Sequence, residues 1–150
     1  MFSARFWKGV KFCSVPAGLG MLFVALSFIL LDKAFAQDYG ESLLDIAPVE
    51  LMRKEAPFDD AEVSRYLADY DAAKSMSDTE AEKLFKDKGW TDQRLIYLTV
   101  KIALGLEYLQ QGPSSKLLKN VPKELLPTKA ERKVIEKRRA EIEKILVQEH

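Results

Sequence analysis

Residues 89–112 read "GWTDQRLIYLTVKIALGLEYLQQG". Leu95, Ile96, Leu98, Val100, Ile102, Ala103, Leu104, Leu106 and Leu109 surround most of the axis when the stretch is wound as a helix. Only Arg94, Thr99, Lys101, Glu107 and the terminal glutamines interrupt the apolar surface. A helix that is apolar nearly all round is buried, in a soluble core or in a membrane. Lys101 and Glu107 interrupt a run already short for a membrane span, which needs about 20 predominantly apolar residues. The stretch therefore predicts a central helix from Thr91 to Gln111, stopped by Gly112-Pro113. Gly105 weakens a helix by about 0.5–1 kcal/mol relative to Ala. Its place in the middle predicts that a neighbouring helix approaches closely there.

Helix signals continue on both sides. Toward the N-terminus, "SDTE", Ser77 to Glu80, is a capping-box pattern. It opens a helix that buries Ala81, Leu84 and Phe85 and stops at Gly89. Asp59 or Asp60 can cap an earlier helix over 59–75, with Val63, Tyr66, Leu67, Tyr70 and Ala73 on one face. Residues 37–58 are irregular, broken by Pro48 and Pro57, with a short helical turn or two expected on the core. Residues 112–127, with Pro113, Pro122 and Pro127, read as a connector holding a short helical piece.

The last segment, 128–150, opens with a second capping box, "TKAE". It carries seven bases and five acids between 128 and 149. Val134, Ile135, Ile142, Ile145 and Leu146 form a narrow apolar stripe, interrupted at Arg138 and Arg139. So narrow a stripe predicts an edge or partner-facing helix, with Arg138, Arg139, Ile142 and Leu146 as its surface. On that reading, a chain cut before Thr128 stays folded. No strand-like alternation and no internal repeat is visible. The fold class is all-α: a small bundle of about four helices, with residues 59–111 as its core.

The first 36 residues have another character. Residues 1–11 carry Arg5, Lys8 and Lys11 and no acid; residues 21–31 are apolar apart from Ser27; then comes Ala34-Phe35-Ala36. Basic start, apolar core and an A-x-A triplet are the parts of a secretory signal peptide, cut between Ala36 and Gln37. The alternative is an uncleaved anchor over 12–31, although Pro16, Gly18 and Gly20 break its first half. Both readings place the remainder across the membrane. Cys13 precedes the apolar core, whereas a lipoprotein cysteine follows it.

Removing residues 1–36 leaves 19 Lys plus Arg against 22 Asp plus Glu, a net charge of −3. That is no general basic field for nucleic acid. The remainder has no cysteine, and its only histidine is His150 at the chain end. Disulfides, thiol catalysis, thiolate metal sites and a His-based triad or zinc site are thereby not expected. No P-loop, G-x-S-x-G or dinucleotide glycine pattern occurs. No cofactor is implied, and enzymatic chemistry would have to rest on carboxylate, lysine or tyrosine.

Three clusters are candidate sites. Trp90, Arg94 and Tyr97 form an anion pocket on one reading; on the other, Trp90 is a plug and Arg94 is paired to an acid. Lys116, Lys119 and Lys123 alternate with leucines that either touch an anionic membrane surface or pack on the bundle. The acids near Asp60 and Asp69 match no calcium loop and read as a solvated face. Residues 125–145, "LLPTKAERKVIEKRRAEIEKI", slightly resemble the L-T-x-x-Q helix starts of small periplasmic stress-sensing chaperones. Here Pro127 separates Leu126 from Thr128 and Glu131 stands in place of Gln, so the resemblance assigns no family. The expectation is an exported, non-catalytic helical protein acting as a binding or accessory component of the cell envelope, with itself or another envelope protein as partner. A chaperone-like or stress-sensor role is the alternative.

Overall fold

The computed structural model describes residues 49–146, and every regular element among them is a helix. The signal segment, the cleavage position and His150 lie outside the described residues. The helices are α1 (Val49–Met52), α2 (Asp60–Ala73), α3 (Asp78–Asp87), α4 (Asp92–Gln111), α5 (Lys116–Asn120), α6 (Lys129–Lys137) and α7 (Arg139–Leu146). None of the described helices is long and apolar enough to cross a membrane.

Local chemistry sets the ends. Asp59 caps α2 by accepting the Glu62 N–H at 2.8 Å. Ser77 with Glu80, and Thr128 with Glu131, close reciprocal capping boxes on α3 and α6. Thr91 caps α4 by accepting from the Arg94 N–H. After α3 the Trp90 N–H reaches the Phe85 carbonyl and the Gly89 N–H that of Lys86, a Schellman turn. Gly89 lies at φ +80° there, a conformation that disfavours any residue with a Cβ.

Helix α4 runs through the middle. Every residue from Tyr97 to Leu106 is buried, so all its faces are covered. Its most extensive packing is on α6, α5 also lies against it, and α2 packs on α3 and α7. Gly105 is where α6 comes closest: a Cβ built there would collide with Ile135 Cδ1. Met52 and Phe58 join the core from the N-terminal side; Leu117, Leu118, Val121 and Leu125 join it from the connector.

The C-terminal segment departs from expectation. It is two helices, and Arg138 between them has φ −100° and ψ 11°. Arg138 falls three residues after Ile135 and four before Ile142, on the inward face. A guanidinium there cannot pack like an aliphatic side chain, and it turns to Asp60 on α2 instead. The stripe itself is core: Ile135 and Ile142 are 0 % exposed and Leu146 is 4 % exposed. The stripe expected to face a partner therefore lies inside the fold. Without α6 and α7, the faces of α4 and α2 that they cover would meet water.

Candidate functional site

Apart from Ser115, which donates to Glu107, the polar side chains that the sequence brings into the core form three clusters around α4. The first joins α4 to α6. Glu131 is 0 % exposed, an expensive place for a carboxylate unless it is fully bonded. It accepts the Tyr97 hydroxyl at 2.7 Å and the Thr128 backbone N–H at 2.7 Å. Lys101 Nζ stands 3.7 Å from Oε2, the oxygen that accepts the Thr128 N–H, and donates to the Leu126 carbonyl at 2.6 Å. Burial lowers the Lys101 pKa, against the pull of the Glu131 charge. Burial, and then the bond to Glu131, push the Tyr97 hydroxyl well above the ordinary tyrosine range. Capping box and buried ion pair thus share one carboxylate, which couples the start of α6 to its docking.

The second cluster joins α4 to α2 and the segment before it. Arg94 donates through Nε and Nη2 to the two Glu62 oxygens at 2.7 and 2.5 Å. Its Nη1 reaches Glu55 at 3.0 Å and the Ala56 carbonyl at 2.6 Å. The hydrogen bonds it donates to Glu62 hold its pKa above the ordinary value. Four of the five guanidinium N–H donors are occupied by this chain's own acceptors.

The third cluster lies where α2, α4 and the α3–α4 turn meet. Trp90 Nε1 donates to Asp69 at 2.8 Å, Arg65 lies 4.0 Å above the indole, and Tyr66 packs on it edge-on. The Tyr66 hydroxyl bonds Thr99 at 2.8 Å, and burial pushes its pKa up to about 12.

Trp90, Arg94 and Tyr97 are therefore committed to different partners: Asp69, the Glu62–Glu55 pair and Glu131. The guanidinium of Arg94 does lie 4.8 Å over the Tyr97 ring. An anion arriving there would have to displace two carboxylates. Arg138, in the expected partner surface, donates to both Asp60 oxygens at 2.6 and 2.9 Å and to Glu141 at 2.8 Å. Lys137 adds a contact to Asp60 at 3.0 Å. Arg139 is exposed and pairs with Glu143 at 2.8 Å, whereas Ile142 and Leu146 point into the core. Lys116, Lys119 and Lys123 are exposed, while Leu117, Leu118, Val121 and Leu125 between them are buried. That surface offers charge to water and keeps its apolar side chains inside.

Sequence reasoning missed Glu131 as a buried group. The signal for it was present: Thr99 and Lys101 interrupt an otherwise apolar helix, and polar residues on a buried helix need partners. Among the described residues every buried side-chain nitrogen or oxygen has a hydrogen-bond partner. No group of three or more metal-ligating side chains occurs among them either. The arrangement fastens helices to one another: α4 to α6, α4 to α2, and α2 to the α6–α7 junction. Comparison with family models, with curated proteins and with solved structures finds no match to this chain.

Proposed function

We propose that the protein is an exported, non-catalytic component of the cell envelope that works by binding another protein there. Residues 1–36 act as a signal peptide removed after Ala36, and the remainder is a small helical bundle. The observation that carries the reading is the order of the N-terminal segment: bases at 5, 8 and 11, an apolar run, then Ala34-Phe35-Ala36. The described residues are consistent with a binding role in one respect. The polar side chains in and around the core, Arg94, Lys101, Glu131, Asp69 and Arg138, are bonded to other side chains of the described residues or to backbone. They serve as fasteners between helices.

Crosslinking in intact cells tests the reading. A photo-reactive residue in place of exposed Arg139 or Lys119 should give a discrete adduct with one envelope protein, or with a second copy. A holdase would instead give a smear of many clients that grows under heat. Absence of any adduct from a set of surface positions would refute a binding role.

A further inference from the structure

We propose that α7 is a hinged strap that opens as one unit about Arg138 while α6 stays docked. The two halves of the C-terminal segment are fastened differently. Helix α6 packs on α4 through Ile135 against Gly105 and through the buried Glu131, so it cannot leave without uncovering the middle of the core. Helix α7 packs on α2 instead. Two buried apolar side chains, Ile142 and Leu146, hold it, with half-buried Ile145 packed beside them. At its root is the pairing of Arg138 with Asp60, whose side chain is 37 % exposed. Water can replace that pair at little cost, whereas the core beneath α6 has no such substitute.

The boundary lies at Arg138. The backbone leaves α geometry at this one residue, while Arg138 still donates to the Val134 carbonyl and accepts from the Ile142 N–H. Its guanidinium occupies the position that an aliphatic residue would need to make α6 and α7 one continuous stripe. Opening about this point uncovers Ile142 and Leu146. In the closed form Met76 is the one large hydrophobic side chain exposed among the described residues. The strap thus decides whether α7 offers its apolar face, and segments of low local stability are where such gating is found.

Residue-resolved amide exchange on the intact protein tests the strap without any partner, so it can fail while the envelope reading stands. A unit opening predicts one common protection factor from Ile142 to Leu146, at least about a hundredfold below those of α6 and α4. It also predicts that D60N lowers this factor about three- to tenfold, the scale of a partly exposed charged pair, as much as it lowers that of α4. Ordinary fraying from the chain end predicts a graded loss toward Leu146 that D60N leaves unmoved, because fraying does not break the Asp60 contact. R138Q repeats the test from the other side of the pair. Graded protection, protection equal to that of α6, or indifference of α7 to both substitutions would overturn the proposal.

Discussion

Gly105→Ala sets two effects of similar size against each other, and the structure decides the sign. Alanine is the better helix former by about 0.8–1.0 kcal/mol, so an exposed glycine in α4 would be improved by the change. At Gly105 the new methyl meets Ile135 Cδ1 well inside van der Waals contact, with Cγ1 and Cγ2 at 3.4 and 3.5 Å. Ile135 is itself 0 % exposed, so its δ-methyl has no open space to enter. Overpacking of this kind costs about 1–3 kcal/mol, and the net expectation is a loss of roughly 0–2 kcal/mol. Ile135→Val deletes the colliding methyl and alone costs about 0.5–1.5 kcal/mol. In the double variant the alanine methyl fills the space left by Cδ1, so the helix gain returns without the clash. Urea unfolding followed by circular dichroism on the four proteins should therefore show a double variant more stable than the sum of the singles, by about 1–2 kcal/mol. An additive cycle, or a Gly105→Ala protein about 1 kcal/mol more stable than wild type, would show that α6 does not rest on α4 at this point.

Three other outcomes are expected. Glu131→Gln leaves the Lys101 ammonium buried without a counter-charge and should cost about 3–5 kcal/mol, read from the same unfolding curves. A chain ending before Thr128 should lose the cooperative unfolding transition, since Ile135, Ile142 and Leu146 are missing from the core; a sharp melt for that fragment would contradict the packing. The Asp60 carboxyl is held well below the usual range, first by the hydrogen bond from Arg138 and then by that from Lys137. A folded pKa below the unfolded one gives stability that is complete above about pH 4 and lost as pH falls through the lower folded value. Wild type and D60N should accordingly keep a constant separation in stability from pH 8 to pH 5 and converge below about pH 4.

The helix signals with local causes were legible in the sequence. Ser77 with Glu80 and Thr128 with Glu131 start helices because their side chains satisfy backbone N–H groups three residues away. Gly89 ends one because it tolerates positive φ. The continuous apolar surface of 95–109 marked α4 as the middle of the core, and Gly105 marked a close approach. Tertiary partners were not legible. Glu131 announces itself as a cap, but its burial depends on Tyr97 and Lys101, more than 25 residues earlier in the chain. Ile142 and Leu146 look like a narrow stripe when only their own helix is considered. They are buried because α2 supplies the other wall. Arg138 read as a gap in that stripe, and only the position of Asp60 explains why a charge stands on an inward face. The pairing of Arg94 to an acid was foreseen in kind, though not in which acids.

The proposed role begins with export, so the most direct measurement is the N-terminal sequence of the protein recovered from fractionated cells. The account predicts a chain starting at Gln37 in the soluble envelope fraction. An intact Met1 chain in the membrane fraction would show that residues 12–31 remain as an anchor. A Met1 chain in the cytoplasm would contradict export, and with it the envelope function proposed for the bundle.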